Sequence, residues 1–241
     1  MKVEGRNAVA ELIKSDSTVD VVYVQKDMRD APACRLISAI KDKGVKISFV
    51  DKFVLDKGSV TKKHQGFIAS VSDYEYADLY DICHDLKENA FIVVLDGVED
   101  VHNLGSIIRV CECGGVDAIV IGKHRSACVN ETVMRISEGS ANHVKIARVT
   151  NINQAVEELK EAGVWVYGLE LGGENIYQTD FSGKIAILVG GEDTGINRLT
   201  KTKCDKLVTI PMYGKINSLN ASVATGIAVF EAVRQRTQKG I

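Results

Sequence analysis

Three short segments, far apart in the chain, carry the residues able to do chemistry. The first runs Leu95-Asp96-Gly97-Val98-Glu99-Asp100-Val101-His102-Asn103-Leu104-Gly105-Ser106-Ile107-Ile108-Arg109. The second is Leu188-Val189-Gly190-Gly191-Glu192-Asp193-Thr194-Gly195-Ile196-Asn197, and the third is Tyr213-Gly214-Lys215-Ile216-Asn217-Ser218, which leads into Leu219 and Asn220. Arg109 offers a guanidinium that stays charged near neutral pH and suits a phosphate or a developing alkoxide. Asn103 and Asn220 each bring a donor and an acceptor, and Glu192 brings a carboxylate. Ser218 or Asn220 stands where a helix N-cap belongs, so a side-chain oxygen and the helix's first N–H groups share one small volume. Such a volume suits an anionic or hydroxyl-bearing ligand. No His and Asp pattern accompanies Ser218, which argues against a nucleophilic serine. No cluster has metal-ligand spacing, so no metal is expected. The chain also lacks a G-x-G-x-x-G after a strand, so nothing supports a Rossmann-type cofactor site.

Each segment follows a run of apolar or β-branched residues that predicts a strand. Strands are expected at 91–95, 118–121, 164–169, 185–189 and 207–210, with Pro211 closing the last because proline cannot continue a ladder. Helical spacing predicts helices at 104–113, 133–138, 152–162 and 197–202. In the last helix Leu219, Val223, Ile227, Phe230 and Val233 form an apolar stripe. Strands apolar on both faces and joined by helices imply a parallel sheet covered on both sides, with ligands beyond the strands' carboxyl ends. Ahead of this lies a smaller α/β unit. It has helices at 5–14 and 33–43, strands at 19–24, 45–50 and 67–71, and a basic turn at Lys62-Lys63-His64. The expected division is 1–72 for the front domain, 73–89 for a joining stretch and 90–241 for the second domain.

The apolar fraction of 45% and charged fraction of 26% are those of a soluble globular protein. No apolar run approaches the roughly 20 residues that span a bilayer. The start MKVEGRNAVAELIK has no apolar signal core, so a cytoplasmic protein is expected. The six cysteines are scattered without a CxxC pair, which fits reduced thiols. Net charge is −2 but unevenly spread: residues 1–72 hold 13 Lys/Arg against 9 Asp/Glu, and the remaining 169 hold 17 against 23. A basic front unit of net +4 on a body of net −6 is compatible with a polyanionic partner.

Taken together, the three segments resemble the SpoU (TrmH-like) family of RNA ribose 2′-O-methyltransferases, within the knotted SPOUT class. Asn103, Gly105 and Arg109 match its first motif. Gly190, Glu192 and Gly195 match the second, and Ile210 to Met212 with Ser218 to Ser222 match the third. Gly5 to Val9 and His64 to Gly66 look like the L30e-like RNA-binding domain of one rRNA-modifying branch, so the resemblance covers nearly the whole chain. Val101 stands where the family usually has proline, and Asp193 where glycine is commoner.

This resemblance implies an α/β SPOUT domain with a parallel sheet and a C-terminal trefoil knot, behind a small L30e-like domain. It implies S-adenosylmethionine as cofactor, held near Gly190, Gly191, Ile210, Met212, Leu219, Asn220 and Ser222. Catalytic roles fall to Arg109, Asn103, Glu192, Ser218 and Asn220, with Glu192 pairing Arg109 or accepting from loop amides. Arg6, Asn7, Lys62, Lys63 and His64 become candidates for RNA phosphate contacts. The implied substrate is a guanosine ribose in 23S rRNA, and the implied assembly a homodimer through the second domain. Two alternatives stay open: a tRNA substrate, and an RNA-binding or assembly protein without methyl transfer.

Overall fold

The computed structural model describes residues 2–15, 19–71, 74–191, 195–216 and 218–240, which divide into two compact units, Met1–Tyr74 and Glu75–Ile241. The first contains β1 (Lys2–Glu4), α1 (Arg6–Lys14), β2 (Val19–Gln25), α2 (Ala31–Asp42), β3 (Lys46–Val50), α3 (Lys52–Gly58) and β4 (Phe67–Val71). Its sheet has the order β1-β4-β2-β3, with β2 and β3 parallel and the other pairs antiparallel. Val9 and Ile13, one helical turn apart on α1, join Leu36 and Ile40 of α2 over Val22, Val24 and Phe67 of the sheet. Asp30 caps α2 by accepting from the Ala33 amide at 3.0 Å.

Sequence periodicity passed over two of these elements. β1 has only three residues and exists because β4 offers it an edge, with Val3 opposite Ala69. α3 buries only Leu55, so it carries no apolar stripe to be read.

The second unit contains α4 (Leu79–His84), β5 (Phe91–Asp96), α5 (Val101–Cys113), β6 (Ala118–Gly122), α6 (Glu131–Ile136), β7 (Lys145–Val149), α7 (Ile152–Glu161), β8 (Trp165–Asn175), β9 (Ile185–Gly190), α8 (Arg198–Lys203), β10 (Lys206–Thr209) and α9 (Ala221–Lys239). The six strands form one sheet of order β10-β8-β9-β5-β6-β7, parallel at every pairing. Residues 91–95 and 185–189 are buried throughout, as continuous apolar strands in a doubly covered sheet must be. β7 escaped the sequence reading because its edge position leaves Lys145, Arg148 and Val149 partly outside the core. The stretch 73–89, expected to join the domains, includes α4, whose Leu79 and Ile82 pack into the second unit's core. Its two buried positions sit in a stretch rich in Asp, Glu and Tyr, so no helical period stands out.

α9 differs most from expectation. Its buried face is Ala221, Thr225, Ala228, Val229 and Ala232, whereas Val223 and Phe230 of the expected stripe are each 49% exposed. Small residues let α9 lie close on α5: a Cβ at Gly114 would sit 2.3 Å from Val229 Cγ1. Val223 and Phe230 are turned outward, while Ile227 and Val233 are partly covered. At the far end of α9, the Arg236 guanidinium stacks 4.9 Å over the Phe91 ring and donates to the carbonyls of Asn89, Phe181 and Gly183. No helix among the described residues is long and apolar enough to cross a membrane.

In the front unit one carboxylate ties the amino terminus to the basic turn. Glu4 accepts from the Ser59 hydroxyl at 2.7 Å, the Val60 amide at 2.6 Å, and both the amide and the hydroxyl of Thr61. Burial pushes this carboxyl up, but the four donors outweigh it and hold the pKa at about 2. The folded value lies below the ordinary 4.5. Its stabilisation is thus complete above that pH and is lost as pH falls toward 2. Glu4→Gln is expected to lower the urea midpoint at pH 7, and the gap to wild type should close between pH 4.5 and 2. A gap that stays constant with pH would rule out an ionic contribution.

Candidate active site

β5 and β9 are hydrogen-bonded neighbours, with Asp96 opposite Gly190 at their carboxyl ends. Beyond that line the two loops interlock. The Gly191 amide donates to the Asp96 carbonyl at 2.9 Å, the Asp96 carboxylate accepts from the Asn197 amide at 2.9 Å, and the Gly195 amide donates to the Gly191 carbonyl at 3.0 Å. A Cβ at Gly190 would lie 2.0 Å from the Gly195 carbonyl carbon, and one at Gly191 would lie 2.1 Å from the Gly97 oxygen. Only glycine tolerates either approach.

The cavity that results is about 270 Å³, and its lining includes Gly190, Gly191, Ile210, Met212, Ser218 and Leu219. Five of the residues expected at a cofactor site thus meet at one hollow, and Ser218, expected among the catalytic groups, meets them there. Leu169, Glu170 and Leu171 also line it. Periodicity could not single these out, although their place at the outer half of β8 is where parallel sheets gather ligands. Glu170 is paired with Lys201 at 2.9 Å.

Asn220 and Ser222, also expected at the cofactor, lie beside the cavity and build its rim. The Asn220 side-chain oxygen accepts from the amides of Ser222 and Val223 at 2.9 and 3.3 Å and from the Ser222 hydroxyl at 2.6 Å. With its oxygen committed to capping α9, the same amide turns its nitrogen outward and donates to Asn103 Oδ1 at 2.9 Å. Two expected catalytic residues, 117 positions apart, therefore form one contact between the start of α9 and the first turn of α5. α5 itself begins on Asp100, which caps the His102 amide at 2.8 Å.

Arg109 is six residues further along α5, about 9 Å at 1.5 Å per residue. It does not line the cavity. Its Nη1 donates to Glu138 Oε1 at 2.6 Å with both side chains at least half exposed. Glu138 follows α6 with φ of 50°, and α6 is brought against α5 by Gly105, whose Cβ would lie 2.7 Å from Ile136 Cβ. Glu138 was not visible as a site residue because its pairing depends on this helix crossing. Glu192, the expected partner of Arg109, lies outside the described residues, as does Asp193.

In the front unit the expected RNA contacts separate into exposed and structural groups. Asn7, Lys62 and Lys63 are exposed, and the Lys62 ammonium rests on the Asp56 carbonyl at 2.6 Å. Arg6 is committed to a two-pronged pair with Asp30 at 2.7 and 3.1 Å and lies over the Phe67 ring. His64 requires a correction. It is buried, its Nδ1 accepts from the Gly66 amide at 3.0 Å, and its Nε2 therefore carries the proton donated to Asp56 at 2.9 Å. With both nitrogens engaged it shapes the turn and cannot serve as a phosphate contact.

The close approach at Gly191 makes a direct test possible. Gly191→Ala is expected to lower the melting temperature by several degrees, for an overpacking cost of about 1–3 kcal/mol. Gly214→Ala is the control, since nothing nearer than the Ile216 amide at 4.0 Å meets its Cβ. Equal melting temperatures for the two variants would show that the loop yields freely.

The comparisons with known proteins agree with this geometry. The SpoU rRNA methylase family matches residues 90–230, and the RNA 2′-O ribose methyltransferase substrate-binding domain matches residues 2–77. A Bacillus subtilis protein described as a putative TrmH family tRNA/rRNA methyltransferase, YacO, is 40% identical over 99% of this chain and 97% of its own length. The Escherichia coli 23S rRNA (guanosine-2′-O-)-methyltransferase RlmB is 38% identical over 98% of each chain. The crystal structure of an AdoMet-bound rRNA methyltransferase from Sinorhizobium meliloti superposes with a TM-score of 0.63 at 25% identity, covering 97% of this chain and 86% of that one. With its second unit and its front unit each matched in this way, the chain belongs to the SpoU rRNA methylase family.

Proposed function

We propose that this protein methylates the ribose 2′-hydroxyl of a guanosine in 23S rRNA, with S-adenosylmethionine as the donor and the cytoplasm as its place of action. The observation that carries the reading is the glycine-walled cavity at the carboxyl ends of β9 and β10, whose rim is tied to α5 through Asn220 and Asn103. The residues present fit the cofactor. Ile210, Met212 and Leu219 offer apolar surface to an adenine, and the backbone at Gly190 and Gly191 comes close because no side chain intervenes. When bound, S-adenosylmethionine supplies an electrophilic methyl group on a sulfonium.

The chain's own residues then have separate tasks. Ser218 orients polar atoms at the cavity mouth, and the Asn103–Asn220 pair holds α5 and α9 at a set distance, which is the positioning that group transfer needs. Arg109 serves as a donor to the phosphate next to the reacting ribose and to charge developing on the 2′-oxygen. Glu138 fixes one edge of that guanidinium and leaves its other N–H groups for RNA. Glu192 is assigned to the same loop as an acceptor. Asn7, Lys62 and Lys63 contact RNA phosphates from the front unit.

The reading extends to the family's trefoil knot and to a homodimer. The outward apolar residues Val223 and Phe230, two turns apart on one face of α9, support the dimer. A crystal-structure backbone that straightens when drawn out from both ends would rule the knot out. A tRNA substrate is the second reading, supported by the tRNA/rRNA description of the Bacillus subtilis relative.

Arg109→Ala is expected to lower methyl transfer into 23S rRNA by about 10²- to 10³-fold, with the cofactor's Kd unchanged because Arg109 is outside the cavity. Full activity in that variant would refute the role, and faster transfer into tRNA than into 23S rRNA would favour the second reading. In sedimentation the protein should run as a dimer of 26.2 kDa chains; a species of one chain at micromolar concentration would exclude the homodimer.

A further inference from the structure

The front unit carries four large apolar side chains on its outside, close together in the chain. Phe53 on α3 is 74% exposed and Val60 in the following turn 81% exposed, and Phe49 and Val54 are each about half exposed. All four fall within the 12 residues 49–60, on β3, α3 and the turn after it. β3 is the outer strand of the sheet and pairs only with β2. The segment is anchored firmly from behind. Leu55 is buried, Asp56 is held by His64, and Glu4 grips residues 59–61.

The unit's charge excess lies in the same place. Residues 1–40 hold six Lys/Arg and six Asp/Glu, whereas residues 41–63 hold seven lysines against three aspartates. One of those aspartates is already matched inside the protein, Asp51 by Lys26 at 3.3 Å. Lys46, Lys52, Lys57 and Lys63 are exposed around the phenylalanines. Exposed aromatic rings set among unmatched cations form the arrangement that binds single-stranded nucleic acid, with the rings taking base faces and the ammonium groups the backbone. A protein partner would be met better by a surface without this charge excess.

We propose that β3 and α3, with the turn to Lys63, form a stacking platform for unpaired bases of the RNA substrate, with Phe53 as its principal ring. The proposal rests on the reading that the protein acts on RNA and adds to the phosphate contacts of Asn7, Lys62 and Lys63 a surface that takes base faces. Stacking requires a flat ring, so it can be separated from simple apolar docking.

The experiment uses the full chain and two probes: a labelled single-stranded RNA of about 12 nucleotides containing 2-aminopurine, and 23S rRNA transcript. Phe53→Ala and Phe53→Leu should each weaken oligonucleotide binding by about tenfold and abolish the 2-aminopurine quenching, while Phe53→Trp retains both. Lys57→Ala should instead reduce the salt slope of binding, by about 0.7 if it meets one phosphate. With 23S rRNA, Phe53→Ala should raise KM and leave kcat alone. Leucine binding as well as phenylalanine would overturn the proposal in favour of apolar docking. Equal binding by all variants would overturn the proposal outright. If wild type transfers no methyl group to 23S rRNA, the functional reading fails, and the oligonucleotide titration still decides the platform.

Discussion

At Gly190 and Gly191 the backbone passes within contact distance of the far arm of its own loop, at Gly195, and of the loop at Gly97, and no atom beyond Cα fits between them. This crossing is what the second unit's working end depends on. Asp96 secures it twice, with its carbonyl on the Gly191 amide and its carboxylate on the Asn197 amide. The loops can therefore close beside the cavity, whose apolar lining comes from Leu169, Leu171, Ile210, Met212 and Leu219. The cost is conformational entropy at each glycine, roughly 0.5–1 kcal/mol relative to alanine, and the sheet beneath, buried on both faces, offsets it.

The last helix completes the cavity by being fixed at both ends. At its start the Asn220 amide serves two purposes at once, its oxygen capping the helix and its nitrogen reaching Asn103. At its end Arg236 binds carbonyls at the opposite rim of the sheet and stacks on Phe91. Desolvation pulls the Arg236 pKa down, yet a guanidinium in this setting remains charged. Between those anchors a seam of alanine and glycine contacts sets α9 close to α5. The cradle's charged groups, Asp96, Glu170 and Arg236, are all spent on internal partners. The charged residue proposed to meet RNA, Arg109, stands outside it on a half-exposed face where a large substrate can arrive.

The front unit divides its polar residues in a similar way. Glu4, His64, Arg6 and Asp30 are spent on internal contacts that hold the turn and the helix ends. Lys46, Lys52, Lys57 and Lys63 remain on the outside. A preorganised scaffold presenting mobile cations loses little entropy in its own backbone when a polyanion binds.

Much of this was legible in residue order. Apolar runs located five strands of the large sheet, because strands buried on both faces must be apolar throughout. The glycines at 190 and 191 and the amides at 103 and 220 drew notice by type and position. What periodicity missed were elements whose existence depends on neighbours: β1 on a vacant edge, α3 on a single leucine, β7 on the sheet's rim. Tertiary structure alone decided that Asn103 meets Asn220, that Arg109 meets Glu138, that His64 is internal, and which face of α9 is buried. The physical reason is common to all four. Local sequence determines which backbone conformation is cheap and which side chains favour burial, whereas the partner of a given polar atom depends on how closely two elements can approach. That distance is set by glycines and alanines elsewhere in the chain.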